Sequence, residues 1–251
     1  MAATDLAAPH PPFGHLLSAR GEKEAQARLS GEDRLIIEEL GENALLLKLG
    51  DRIDAALNRR AQELARVLRE ERLPGLIDVV PAFASVTLHF EPGVKLPRSR
   101  ARALAIAALA SDESLSGPTS TGSRVVTLSV SYGGDDGIDL ESVARFANLD
   151  VAEVVARHLA QEYEVAMIGF LPGFAYLLGL DPSLAMPRHA TPRAVVPAGS
   201  VAIGGAQTGI YPSAAPGGWR LIGRTVARLF DPAAPNPCLL APGDRVRFRS
   251  C

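Results

Sequence analysis

The chain has 251 residues, 47% of them hydrophobic and 22% charged, with a formal net charge of −2. That balance describes a globular chain able to bury a sizeable core, in one large domain or two ordinary ones. It gives no electrostatic case for a nucleic acid or a membrane surface as partner, and no run of 18 apolar residues is present to form a transmembrane helix.

Residues 1–33 lack the basic n-region and apolar core of a signal peptide. They read as a poorly ordered extension with a short helix near residues 22–29. The two cysteines, Cys238 and Cys251, make no disulfide framework, so a reducing, cytoplasmic setting is expected.

Residues 34–40 (RLIIEEL) and 44–49 (ALLLKL) are apolar-rich runs parted by Gly41-Glu42-Asn43, a strand pair with a short turn. From Ile53, apolar residues recur at Leu57, Ala61, Leu64 and Leu68, which is one face of a helix over 53–71. Asp51 or Asp54 can cap it, and Pro74-Gly75 stops the chain beyond it. Residues 77–80 and 85–90 read as two more strands, and 97–110 as an Ala/Leu-rich helix. The order ββαββα predicts a small α+β domain over 34–110, with helices on one face of a sheet. The polar run 111–123 (SDESLSGPTSTGS) reads as a linker.

A second domain over 124–251 is expected to be mainly β. Residues 124–132 read as a strand, and 139–147 and 151–162 as short helices. Asp150 with Glu153 makes a capping-box pair for the second. Residues 165–224 then carry glycine and proline at a density no long helix tolerates, between apolar pieces such as FAYLLGL and AVVPAGSVAIGG. This is the pattern of short strands joined by shaped turns, a barrel whose loops can form a site. Residues 224–230 and 244–248 are expected as closing strands.

There is no P-loop, nucleophile elbow, HExxH or Cys/His cluster, so no metal site is expected. Candidate chemistry falls on scattered polar residues. His158 lies on or beside the apolar stripe of its helix. It is either a core-edge histidine bonded to backbone or a general acid/base. His189 sits in RHATPR, either a solvated basic loop or one in which Arg188 and Arg193 grip a carboxylate or phosphate. Gln207 and Thr208 either tie down their own glycine-rich turn or present an amide and a hydroxyl to a ligand. The glycine turns 169–173 and 216–218 can offer backbone N–H groups to an anion. Phe170, Phe174, Tyr176 and Trp219 read as core or rim residues. Asp135, Asp136 and Asp139 read as loop solvation and helix capping.

Several long motifs occur in fixed order: GENALLL at 41–47, HxxxxYxV at His158, Tyr163 and Val165, GFLPGFAYLLGLDP, PRHATPR, VPAGSVAIGGAQTGIYP, PGGWRLIGRT, LFDP and PGDRVRF. Over roughly 34–248 they resemble the family of KipI and PxpB, the latter being the B component of bacterial 5-oxoprolinase. That family is also labelled allophanate hydrolase subunit 1, and it corresponds to carboxyltransferase subdomains C and D. The resemblance implies an α+β N-terminal domain followed by a cyclophilin-like β-barrel. It implies a separate KipA/PxpC-type partner subunit in a heterodimer or larger assembly, a LamB/YcsF-type third subunit, and ATP used by the complex to open 5-oxoproline, a small amide-like substrate. Histidine-kinase inhibition and a urea-carboxylase-type carboxyltransferase role also lie within the family. By position, His158 becomes the acid/base candidate, Gln207 and Thr208 the holders of the substrate's amide edge, and Arg188, Arg193 and Tyr211 further substrate-binding residues.

Overall fold

A computed structural model describes residues 35–71, 73–110 and 124–251. The extension at 1–33, its expected helix at 22–29 and the linker at 111–123 lie outside the described residues.

The N-terminal part runs β1 (Ile36–Glu39), β2 (Ala44–Lys48), α1 (Ala55–Glu70), β3 (Leu76–Pro81), β4 (Ser85–Phe90) and α2 (Arg98–Ala110). The strands form one antiparallel sheet in the order β1-β2-β4-β3. Asp54 caps α1 by accepting from the Leu57 amide at 2.9 Å, which satisfies one of the donors a helix start leaves unpaired. The expected apolar stripe is what α1 buries: Leu57, Ala61, Leu64 and Leu68 are at most 1% exposed. They pack with Leu45, Leu47, Val86, Leu88 and Phe90 of the sheet and with Ala101 and Ala105 of α2 in one core.

The second part contains β5 (Val125–Tyr132), α3 (Leu140–Ala147), α4 (Val151–Ala160), β6 (Glu162–Ile168), β7 (Ala175–Leu178), β8 (Arg193–Val196), β9 (Ser200–Gly204), β10 (Gln207–Ile210), β11 (Ala215–Gly217), β12 (Arg220–Arg224) and β13 (Arg245–Ser250). Seven strands close a barrel in the order β10-β7-β6-β13-β5-β12-β9, while β8 and β11 pair outside it. Closure leaves the barrel no free edge. The fold is therefore α+β followed by a β-barrel, as the sequence predicts. Two element expectations are corrected. The helix after Asp150 stops at Ala160, because Glu162 already pairs with Arg247 of β13. Residues 225–229 form no strand; the ladder of β12 ends at Arg224, where the chain leaves the barrel wall.

Strand periodicity decides where the site can lie. Along β9, Val201 and Ile203 point into the barrel core, whereas Ala202 belongs to a second apolar cluster outside it. Ala175 and Leu177 of β7 face inward, while Phe174 and Tyr176 on either side of Ala175 join the outer cluster. Ile222 is inside and Leu221 outside. Alternation of this kind is what a strand with two covered faces requires. The outer cluster consists of Phe174, Val196, Ala202, Tyr211, Trp219 and Leu221, and the proline- and glycine-rich turn at 216–218 runs along its edge.

The two parts are joined by polar contacts. A bulge in β6 lies between Val165 and Met167, at Ala166. The carbonyl of Ala166 accepts from Asn58 Nδ2 at 3.1 Å, and the same fully buried amide donates to Ala82 and Phe83 carbonyls at 3.1 and 3.3 Å. Phe83 also meets Tyr176 edge-on, with ring centroids 5.7 Å apart. Among the described residues no helix is long and apolar enough to cross a membrane.

Candidate functional site

A cavity of about 310 Å³ opens on the outer cluster. Its walls are aromatic: Phe170, Phe174, Tyr176, Tyr211 and Trp219. The rings meet edge to face, Phe174 lying 5.5 Å from Trp219 and 5.1 Å from Tyr211, and Tyr176 lying 5.8 Å from Trp219. Such geometry fixes ring planes beyond what area burial does. Burial raises the phenol pKa of Tyr176 and Tyr211, so both stay protonated. The remaining walls are Arg188, His189, Pro192 and the 216–218 turn.

Glycine makes room for the box. A Cβ on Gly204 would stand 2.4 Å from the Trp219 indole, and one on Gly217 would stand 2.3 Å from the Tyr211 hydroxyl. Gly204→Ala is therefore expected to push the indole off its strand. Such overpacking costs about 2 kcal/mol. It should also red-shift the emission of the chain's single tryptophan; unchanged emission would place Trp219 elsewhere. At the mouth, Phe170 is 60% exposed and held at φ +67°, a region a non-glycine residue rarely enters.

Arg188 stacks over the Trp219 ring, its guanidinium carbon 5.4 Å from the ring centroid. Among the described residues it has no carboxylate and no hydrogen-bond acceptor. The neighbouring arginines do. Arg193 donates to Asp139 Oδ1 at 2.8 Å, and Arg220 Nε donates to the Pro187 carbonyl at 3.0 Å.

Asp139 is the residue that sequence reasoning missed. Instead of capping α3 with its side chain, it turns inward. Oδ2 accepts from the Leu221 amide at 2.8 Å; Oδ1 accepts from Arg193 and, at 3.2 Å, from His189 Nε2. Burial pushes its carboxyl pKa up, but Arg193, the Leu221 amide and His189 outweigh this and hold it below the ordinary value. One carboxylate thus ties the start of α3, strand β12 and the 187–193 loop behind the cavity wall. The His189 amide completes the fastening by donating to the Gly218 carbonyl at 2.7 Å.

The sequence-predicted residues separate into two groups. Arg188 and Tyr211 line the cavity, and Arg193 supports it through Asp139. His158, Thr208 and Gln207 do not line it. His158 is fully buried in the barrel core, stacked on Phe248 with centroids 4.8 Å apart. Its Nδ1 contacts the Tyr132 hydroxyl at 2.8 Å and its Nε2 the Thr208 hydroxyl at 3.1 Å. Thr208 donates its own proton to the Ala202 carbonyl at 3.0 Å, so it accepts from Nε2–H, and Tyr132 donates to Nδ1. With both ring nitrogens engaged and burial lowering its pKa to about 3, His158 is a neutral core histidine. The acid/base expectation gives way to the core alternative. Thr208 is a link in that buried chain. Gln207 is 3% exposed, with its Nε2 lacking a partner among the described residues.

Comparison with known proteins adds the lineage. Residues 35–240 match the family described as carboxyltransferase domain, subdomain C and D. The chain belongs to this family. It is 38% identical over 227 residues to the B component of 5-oxoprolinase from Bacillus subtilis, covering 86% of this chain and 92% of that protein. It is 43% identical over 209 residues to the protein of the same name from Escherichia coli O157:H7, covering 83% and 93%. The crystal structure of TTHA0988 superposes with a TM-score of 0.70 at 39% identity; it covers 83% of this chain, which spans only 40% of that longer chain. The K. lactis urea amidolyase, at 20% identity and a TM-score of 0.70, shares the fold over 89% of this chain and 15% of its own.

Proposed function

We propose that this chain is the B component of an ATP-dependent 5-oxoprolinase, an enzyme complex that opens 5-oxoproline to glutamate. Relatives of nearly the same length carry that name. The observation that carries the reading to the residues is the aromatic cavity with Arg188 at its edge, a guanidinium with no acceptor among the described residues. 5-Oxoproline is a flat five-membered lactam bearing one carboxylate. A box of aromatic rings suits the faces of such a ring, and a guanidinium suits the carboxylate, which it can grip through two parallel N–H bonds.

In this reading the chain binds and orients the substrate rather than performing the whole reaction. The lactam carbonyl must be activated by a phosphoryl donor before water can attack it, and ATP enters at the level of the complex. A KipA/PxpC-type second subunit and a LamB/YcsF-type third subunit supply the remainder, in a cytoplasmic assembly. The exposed Phe170 at the cavity mouth is where a partner can cover the bound ring and exclude water.

The test is reconstitution. Co-expressed with the two partner types, this chain is expected to support glutamate release that requires both ATP and 5-oxoproline, and omission of the chain should abolish it. A folded three-subunit complex with no such activity would remove the reading.

A further inference from the structure

We infer that Phe170 is a binding residue of the cavity, and that a strained turn holds its ring where it takes the face of the bound lactam. The inference rests on the proposed 5-oxoproline site and names the wall against which the substrate ring would lie.

Three backbone bonds shape the turn. Leu171 N donates to the Gly169 carbonyl at 2.8 Å, Phe174 N to the Leu171 carbonyl at 3.0 Å, and Gly169 N to the Phe174 carbonyl at 3.1 Å. The first closes a three-residue turn centred on Phe170 at φ +67°. With positive φ this is the rare, strained form of such a turn. Among the described residues one other non-glycine has positive φ, Asn148, which ends α3 in the left-handed conformation that asparagine tolerates. Phenylalanine has no such tolerance, and glycine would fit the same backbone without strain. Burial does not offset the strain either, since Phe170 is 60% exposed. Strain that the fold does not use points to function.

Phe170 meets Phe174 at 88° with centroids 5.5 Å apart and meets Tyr211 at 89° and 6.3 Å, while Phe174 meets Tyr211 at 85°. Three mutually perpendicular planes make a corner. A small flat ring entering it can lie face-on to one wall only, with its edge toward the other two. Phe174 and Tyr211 are each 1% exposed and so already covered, whereas Phe170 keeps most of its surface free. Phe170 is therefore the wall on which a ligand ring gains the most contact area. Arg188 lines the same cavity and is left for the carboxylate.

The test compares substitutions at position 170. In the assembled complex, Phe170→Ala and Phe170→Gly are each expected to raise the KM for 5-oxoproline about 3- to 10-fold, the range that contact with one aromatic ring is worth. Phe170→Tyr keeps the ring and should stay within about twofold of wild type. Affinity for the partner subunits should fall by less than the KM rises. The strain is read separately, in the full chain. At an ordinary exposed position glycine is less stable than alanine, but here Phe170→Gly should unfold at a higher urea concentration than Phe170→Ala. An unchanged KM in the alanine and glycine variants, a loss confined to subunit assembly, or an alanine variant at least as stable as the glycine variant overturns the inference while leaving the 5-oxoproline site standing. A wild-type complex that neither binds nor turns over 5-oxoproline removes the parent reading as well.

Discussion

Arg188→Gln is expected to raise the KM for 5-oxoproline about 10- to 100-fold in the assembled complex, with a far smaller change in kcat. Hydrogen bonds to a charged group are worth about 1.5–3 kcal/mol, which sets that range. The separation of KM from kcat follows from the role assigned to the side chain, because a group that binds the carboxylate equally in ground and transition states contributes to KM alone. Stability should be little affected. Arg188 has no acceptor to lose among the described residues, and its stacking over the Trp219 ring is replaceable by the apolar stem of glutamine. A loss of thermal stability equal to the loss of binding would mean that the guanidinium holds the loop rather than the ligand.

His158→Ala is expected to destabilise the chain by about 3 kcal/mol, read as a lower urea midpoint. The change empties a fully buried site against Phe248 and Tyr163, and it leaves the Tyr132 hydroxyl without its acceptor. The pH dependence separates this structural role from a catalytic one. Burial holds the folded pKa of His158 at about 3, against an ordinary 6.5. Between those values the unfolded chain binds the extra proton and the folded chain does not. Stability is therefore fully present above pH 6.5 and falls as the pH drops toward 3, by about 1.4 kcal/mol per unit from this group. The difference in stability between wild type and His158→Phe should shrink across that window. A difference that stays flat would mean that His158 is solvated and titrates normally.

The α+β part was legible because its signals are local. The Leu57–Leu68 stripe, the Asp54 cap and the Pro74-Gly75 stop lie within one helix and its flanks, and each acts at a range of three or four residues. The barrel was legible only as a class. Alternation such as Phe174-Ala175-Tyr176-Leu177 places residues on opposite faces, but it does not say which face is the core and which the cavity when both are apolar. That ambiguity let Trp219 and Phe174 read as core while the buried, polar His158 and Thr208 read as a site. Asp139 was the least legible. Its partners Arg193 and Leu221 lie 54 and 82 positions away, brought together only by barrel closure. The one sequence hint was an acidic residue just before a helix, which capping explained equally well.

The central claim is that the outer-wall cavity, not the barrel interior, holds the substrate. A crystal structure of the assembled complex with 5-oxoproline tests it most directly. The account predicts the lactam ring between Phe174, Tyr211 and Trp219, with its carboxylate paired to Arg188 in bidentate fashion. Ligand bound against His158 and Thr208, or at a site that leaves the Arg188 cavity empty, would contradict it.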